Sequence, residues 1–205
     1  APREPAATSP ASATGGEVAA FALRPDNLLL EAKERDAMVK LAKVIGRTPR
    51  TLKRFVNVYR IIKAGLRGER LEAFIGRGDD DGEFRAVLLL LAVAHGAPEA
   101  STTFFRMLKG RHIRGAVNKE EVGLKSFLDE MLEMYVSVSV GGEGKVTPSK
   151  PSGEAPPAGW TEAVLALIKF AEAYDDDIPL DVLCKWSHVV VRYTFQLGDM
   201  SEEFV

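Results

Sequence analysis

Apolar side chains recur at helical spacing over most of the chain, and glycine or proline residues separate one such segment from the next. The pattern is clearest from Pro49 to Ala64. At about 100° per residue, the apolar residues of this segment fall on one side and its basic residues on the other. Thr48 can cap the first turn, and Pro49 suits the first helical position because its missing N–H would have no partner there. The sequence therefore predicts an amphipathic helix over residues 49–64. The apolar side comprises Leu52, Phe55, Val56, Tyr59, Ile62 and Leu66.

The same periodicity predicts seven further helices, separated by Gly, Pro or Asp residues. Residues 86–94 are apolar on every side, which is typical of a central, buried helix. Residues 136–140 alternate with a period of two, so a short strand is an alternative there, although no partner strand is evident. The other predicted helices cover about residues 27–45, 69–75, 83–95, 98–108, 119–135, 161–174 and 180–197, with a basic, glycine-containing connection at 110–118. The predicted fold class is therefore all-α, an irregular bundle of seven to eight helices.

Composition divides the chain into four parts. Residues 1–20 are expected to form a flexible linker, because their Ala, Pro, Ser, Thr and Gly residues can bury little apolar surface. Residues 21–140 are expected to form a helical, lid-like domain that contains the basic helix. Residues 141–159 are rich in Gly, Pro, Ser and Lys, which predicts a flexible loop. Residues 160–205 are expected to form a C-terminal helical pair that packs on the bundle.

Charge is distributed unevenly along the chain. The whole chain of 205 residues has a formal net charge of −2, which does not favour a general affinity for nucleic acid. Residues 47–70, however, carry eight basic residues and one acidic residue, which gives a local charge of +7. A field of this kind attracts phosphate or carboxylate groups and decays over about 10 Å at about 0.1 M salt.

Signals for a membrane or an oxidising compartment are missing from the sequence. Cys184 is the single cysteine, so the fold needs no intrachain disulfide. The longest apolar run, Ala86–Ala94, is far shorter than the roughly 20 residues that span a bilayer, and the N-terminus has no signal pattern. We therefore expect a cytoplasmic protein without a membrane segment. Because the chain begins at Ala1 with a linker-like composition, we also expect it to be a fragment of a longer polypeptide.

Common catalytic and metal-binding patterns are absent from the sequence. It has no Gly-x-x-x-x-Gly-Lys-Ser/Thr motif, so we expect that the chain by itself does not hydrolyse nucleotide. The three histidines and the cysteine lack metal-ligand spacing. The acidic triplets 79–81 and 175–177 lack the EF-hand pattern and are interpreted as turns that cap neighbouring helices. His95 is interpreted as a helix cap and Cys184 as a buried structural thiol. No metal, cofactor or catalytic residue is expected within this chain.

The basic side of the helix over residues 49–64 is the remaining candidate site. Arg50 lies in the first turn, close to Arg47, so two guanidinium groups can converge on one anion and bind it bidentately. Asn57 is a poor helix former in the middle of a helix, which suggests that its amide has a use there. The supporting basic face comprises Lys53, Arg54, Asn57 and Arg60. A purely solvated cationic face is the alternative.

Residues 46–60, with the sequence GRTPRTLKRFVNVYR, resemble a signature of KAP-family P-loop NTPases and related STAND-like bacterial proteins. That signature reads (N/S/T)PR-x-(I/V/L)KR-(F/L)-x-N-x-(Y/F). Residues 84–91 and 190–195 resemble segments of the C-terminal regions of the same proteins. In that family the matching helix belongs to a helical lid on the ATPase core, and an arginine approaches the nucleotide phosphates. The resemblance implies that this chain is the C-terminal lid or signalling region of such an ATPase, with possible roles in antiviral defence.

By this resemblance, Arg50 would contact the nucleotide phosphates and Arg47 would support it. Lys53, Arg54 and Asn57 would orient the lid against the core or the nucleotide. ATP and Mg²⁺ would bind to an upstream P-loop domain of the same polypeptide, because this chain lacks Walker A, Walker B and the parallel sheet. The nucleotide state would then control assembly into a homo-oligomer or the binding of a partner.

Two further classes of function stay open at this point. One is a free-standing helical module whose basic helix binds nucleic acid. The other is a structural bundle that binds proteins. A nucleic-acid binder would lose roughly one unit of log K per tenfold rise in salt for each phosphate that it neutralises.

Overall fold

The computed structural model describes residues 28–46, 48–77, 81–118, 122–135, 137–140, 146–149 and 156–194. Within these ranges the chain forms nine α-helices and one two-stranded sheet, which confirms the predicted all-α bundle. The first predicted helix is interrupted at Leu41 and gives two helices, so the described helices exceed the prediction by one. The helices are α1 (Ala32–Lys40), α2 (Ala42–Ile45), α3 (Pro49–Ala64), α4 (Glu69–Ile75), α5 (Phe84–Gly96), α6 (Pro98–Asn118), α7 (Leu124–Tyr135), α8 (Trp160–Glu172) and α9 (Leu180–Arg192).

Helix α5 is the centre of the bundle. Every residue from Phe84 to Ala94 is buried, and α1, α2, α3, α6 and α9 all pack against this helix. The sequence predicts a central, buried helix here because the segment is apolar on every side. The structure agrees, since other helices pack around α5. The apolar core is continuous and includes residues of all nine described helices, so α8 and α9 belong to the same core as the rest.

Gly96 allows a close approach between the end of α5 and the end of α2. A Cβ atom at this position would lie 1.7 Å from the carbonyl oxygen of Val44 and 2.7 Å from the Cα of Ile45. Since real Cβ atoms do not approach backbone atoms so closely, only glycine fits without movement of one helix.

Helix α6 is longer than the sequence predicts. It continues to Asn118 through residues 110–118, where a connection was expected. A glycine within a helix costs about 1 kcal/mol relative to alanine. This cost is small compared with the free energy gained from the apolar side chains that α6 buries against α5 and α9. The next helix, α7, accordingly begins at Leu124 rather than near residue 119.

Two short strands form an antiparallel hairpin, β1 (Ser137–Val140) and β2 (Val146–Ser149). β1 is the strand that the alternating pattern at 136–140 allowed. Its partner β2 lies inside the segment 141–159 that was expected to be a loop, because Val146-Thr147-Pro148-Ser149 contains a proline and too few apolar residues to be recognised as a strand. The predicted linker, residues 1–20, lies outside the described residues.

A backbone junction connects the starts of α7 and α9. Leu124 N donates to the Ile178 carbonyl over 2.8 Å, and Leu180 N donates to the Val122 carbonyl over 2.9 Å. Gly123 and Pro179 are thereby paired as an isolated antiparallel bridge. α8 meanwhile packs against α7 and α2, so the C-terminal helices are attached to the bundle on more than one side.

Candidate functional site

The basic face of α3 is exposed to solvent. Thr48 begins the helix as predicted, since its Oγ1 accepts a hydrogen bond from Thr51 N over 3.2 Å, and Pro49 occupies the first turn. The side chains of the predicted face are all exposed, namely Arg50, Lys53, Arg54, Asn57 and Arg60. Arg47 lies outside the described residues, so its approach to Arg50 stays a prediction.

The inner face of α3 packs against α5, but its composition differs from the prediction. Phe55, Tyr59 and Ile62 are buried as expected. Leu52 was assigned to the same apolar side, yet it is 49% exposed. The assignment of Leu52 was wrong because the buried stretch of α3 begins only at Phe55, about one turn further along the helix. Lys63, one of the eight basic residues of the segment 47–70, is buried, with 3% exposure.

Lys63 belongs to a buried polar cluster with Glu34 and Tyr59. Lys63 Nζ lies 2.7 Å from Glu34 Oε2 and donates to the Leu29 carbonyl over 2.8 Å. The Tyr59 hydroxyl donates to Glu34 Oε1, and Glu31 N donates to Glu34 Oε2 over 2.6 Å. The Glu34 carboxylate thus accepts three hydrogen bonds, one of them from its counterion Lys63, and a buried charge requires such partners. We call these three side chains the Glu34 cluster.

The Glu34 cluster fixes both the charge and the position of α3. Burial, reinforced by the Glu34 charge, raises the pKa of Tyr59 far above its usual range, so its hydroxyl stays protonated and donates. Lys63 is neutralised by Glu34 and contributes little to the outward field of the helix. Because Leu29 and Glu31 also bind the cluster, the segment that enters α1 is tied directly to the inner side of α3.

The spacing of the exposed cations limits what they can bind together. Arg50 and Arg54 are four residues apart, or about 6 Å along the axis, whereas Arg50 and Arg60 are about 15 Å apart at a rise of 1.5 Å per residue. One phosphate group can therefore reach Arg50 and its near neighbours but not Arg60 as well. Asn57 lies between them and offers both a donor and an acceptor. α3 contains no acidic residue to offset these charges.

His95 lies at the end of α5, where the sequence predicts a helix cap. Its Nε2 is buried and has no hydrogen-bond partner within the described part of the chain. Burial, and to a smaller extent the charge of Arg54, lowers the pKa of His95 to about 4. The imidazole is therefore neutral at neutral pH and gives no favourable charge to the end of the helix.

Cys184 is buried on α9, as the sequence suggests, with its Sγ 3.8 Å from the Leu108 carbonyl oxygen. Burial, with a smaller contribution from Asp181, raises the pKa of the thiol to about 12. The reactive thiolate is therefore scarce at neutral pH, which fits a structural thiol and not a nucleophile.

Asp81 and Asp177, each the last residue of an acidic triplet, make structural contacts. Asp81 forms an ion pair with the buried Arg85, with 3.2 Å between Oδ2 and NH1. The Asp177 carboxylate accepts from Lys125 N over 3.1 Å and from Ile178 N over 2.9 Å. Asp177 thus caps α7, a helix distant in sequence, and not the adjacent α9 as expected. Within the described ranges, no three His, Cys, Asp or Glu side chains are placed to hold a metal ion, and none of the described helices is long and apolar enough to cross a bilayer.

Comparisons of the chain with protein-family models, with curated proteins and with solved structures found no match. The exposed face of α3 carries four cations, Arg50, Lys53, Arg54 and Arg60. The inner side of the same helix is attached to the core through Phe55, Tyr59 and the Lys63–Glu34 ion pair.

Proposed function

We propose that this chain is a helical lid or signalling region that recognises phosphate through the exposed face of α3. The phosphate would belong to a nucleotide bound by a P-loop core located upstream in the same polypeptide. The observation that supports this proposal most directly is the row of exposed cations on α3, a helix without any acidic residue. The likeness of residues 46–60 to the KAP-family signature supports the choice of a nucleotide.

Arg50 is the residue proposed to contact the phosphates, with Arg47 in support. Arg50 is exposed in the first turn of α3, and its planar guanidinium can bind a phosphate through two parallel hydrogen bonds. An arginine that contacts a γ-phosphate loses its partner when that phosphate leaves, so it reports hydrolysis. Lys53, Arg54 and Asn57 are proposed to orient the lid against the core.

The Glu34 cluster gives this proposal a route for transmission. Because Lys63 and Tyr59 bind Glu34 from the inner side of α3, a force on the outer side is passed to α1 and to the segment before it. We propose that the lid moves as one body with the bundle and thereby couples the nucleotide state to assembly or to partner binding. Catalysis would remain with the upstream core, so this chain would not be an enzyme by itself.

The test uses the full polypeptide that contains this chain. Arg50→Ala is expected to lower ATP turnover by about 100-fold, as the loss of one transition-state hydrogen-bond donor does, or to abolish nucleotide-driven assembly. Arg60→Ala is the matched control, since it removes an exposed arginine from the same helix about 15 Å away. Unchanged turnover and assembly in the folded Arg50→Ala protein would refute the proposal.

A nucleic-acid interface is the second candidate, because the exposed cations extend over about 15 Å and exceed the reach of a single phosphate. Fluorescence anisotropy of labelled duplex and single-stranded oligonucleotides would detect such binding to the chain. Each of Arg50→Ala, Arg54→Ala and Arg60→Ala is then expected to reduce the salt slope by about one unit. Lack of binding at low salt would exclude this function.

A further inference from the structure

Two exposed surfaces of the bundle carry opposite charges that no ion pair within the described residues neutralises. The first is the exposed face of α3, a helix without an acidic residue in its first turn. Arg54 of this face already has an interaction partner. The cations of the face that form no ion pair with another described residue are Arg50, Lys53 and Arg60.

The second surface is the connection between α8 and α9, which is acidic. Residues 172–181 contain no basic residue, and Asp177 among them already accepts a hydrogen bond from Lys125 N over 3.1 Å. Lys185, one turn further along α9, is bound to Glu83 over 2.7 Å. The exposed carboxylates that form no ion pair with another described residue belong to Glu172, Asp175, Asp176 and Asp181. We call these four carboxylates the acidic turn.

Both surfaces carry charges that the dipole of the nearest helix disfavours. Arg50 lies in the first turn of α3, at the positive end of the helix dipole, where no acidic residue offsets it. Glu172 is the last residue of α8, and Asp175 and Asp176 follow it at the negative end of that helix dipole. Lys169 is the basic residue of the last turn of α8 and offsets these carboxylates only in part. Each surface is therefore stabilised by a partner of opposite charge.

The cations at the start of α3 and the acidic turn lie toward opposite ends of α5. Burial and, less strongly, the charge of Arg54 lower the pKa of His95 at the end of α5, so the first half of α3 lies beside that end. Arg85, at the start of α5, donates to the Asp176 carbonyl over 3.2 Å, so the acidic turn lies beside the start. These two ends of α5 are about 15 Å apart at a rise of 1.5 Å per residue. The two surfaces therefore do not neutralise each other within one copy of the chain.

We propose that the exposed face of α3 of one copy binds the acidic turn of a second copy. A second copy is the favoured partner because one chain carries both complementary surfaces. Since the two surfaces differ, the contact is head-to-tail, and each copy can bind one neighbour through each surface. The contact rests on the proposed function for its control, because a phosphate bound at Arg50 would displace the carboxylates of the second copy. The contact itself needs no nucleotide.

Charge reversal tests this proposal, with the mass of the whole chain measured by sedimentation equilibrium in about 0.01 M salt, where screening is weak. Arg50→Glu with Lys53→Glu reverses the charge of the α3 face, and Asp175→Lys with Asp176→Lys reverses the charge of the acidic turn. The native chain is expected to form species of two or more copies. Each double variant alone is expected to have the mass of one copy.

Combining the two reversals is expected to restore association, because the exchanged charges are again complementary and the net charge returns to its native value. The matched control combines the reversal of the acidic turn with Arg35→Glu and Arg106→Glu, two exposed arginines outside α3. It has the same net charge as the combined variant but keeps a basic α3 face. This control is therefore expected to have the mass of one copy.

A combined variant with the mass of one copy would overturn the proposal, and so would a native chain with that mass. Association of the control would also overturn it, because the net charge alone would then explain association. The Arg50→Ala test of the proposed function measures ATP turnover in the full polypeptide, whereas this test contains no nucleotide. Failure of the contact is therefore distinguishable from failure of the proposed function.

Discussion

Lys63→Met measures how strongly the Glu34 cluster holds α3. The substitution retains an apolar stem but removes the ammonium group that lies 2.7 Å from Glu34 Oε2. Leu29 is largely exposed, so its carbonyl can turn to water. Glu34 is fully buried and would be left without its counterion. We expect the free energy of unfolding to fall by about 3–5 kcal/mol, the usual cost of removing one partner of a buried ion pair.

Urea denaturation followed by far-UV circular dichroism gives this free energy from the transition midpoint and slope. Lys53→Met is the matched control, because Lys53 is an exposed lysine of the same helix. Its substitution is expected to change the free energy of unfolding by no more than about 0.5 kcal/mol. The difference between the two variants separates the buried ion pair from any general effect of removing a lysine from α3.

A triple variant distinguishes charge from packing. Glu34→Leu, Tyr59→Phe and Lys63→Met together remove the buried charges and the hydroxyl while keeping apolar volume. Most of the lost stability should return, since apolar replacements of a buried ion pair are often neutral or stabilising. A loss below about 1 kcal/mol for Lys63→Met, a value typical of exposed ion pairs, would refute the reasoning. A triple variant as unstable as the single one would attribute the loss to packing.

Three further outcomes follow from the described contacts. Gly96→Ala should lower the melting temperature, with a cost of at least about 1–3 kcal/mol, because its Cβ would overlap the Val44 carbonyl; an unchanged melting temperature would contradict the close approach. Asp177→Ala should cost about 0.5–2 kcal/mol in urea denaturation, since α7 loses its cap, and a loss below that range would argue against the cap. His95 has a folded pKa of about 4 against an ordinary value of 6.5, so the unfolded chain binds the extra proton and stability should fall as pH falls through that window. His95→Gln should flatten this pH dependence, and an unaltered profile would exclude His95 as its source.

Local signals explain the elements that the sequence predicts well. The predicted helix at 49–64 matches α3, because Thr48 and Pro49 specify its start and the glycine after Ala64 its end. The predicted central helix, residues 83–95, differs from α5 by one residue at each end, because a helix that is apolar on every side is recognisable as a buried one. The exposure of Arg50 likewise follows from helical periodicity alone, whereas its binding of phosphate stays a prediction.

Contacts between distant residues explain what the sequence does not predict. Lys63 and Glu34 are 29 positions apart, and nothing in the local pattern distinguishes a lysine that meets a buried carboxylate from one in solvent. Leu52 has the periodicity of a buried residue, but its exposure depends on where the packing of other helices against α3 begins. Asp177 could be recognised as a capping residue, yet which helix it caps is decided by the junction that brings Lys125 beside it.

The junction between the starts of α7 and α9 also bears on the order in which contacts form during folding. Pairing Gly123 with Pro179 closes a loop of 56 residues, at an entropic cost of about 3–4 kcal/mol. Its two hydrogen bonds contribute only about 0.5–1.5 kcal/mol each, so they cannot close the loop before α7, α8 and α9 pack. We therefore expect the bridge to form after these helices have packed. Doubling the number of enclosed residues would add only about 0.6 kcal/mol to this entropic cost. We therefore expect long insertions between Gly123 and Pro179 to leave the bridge intact.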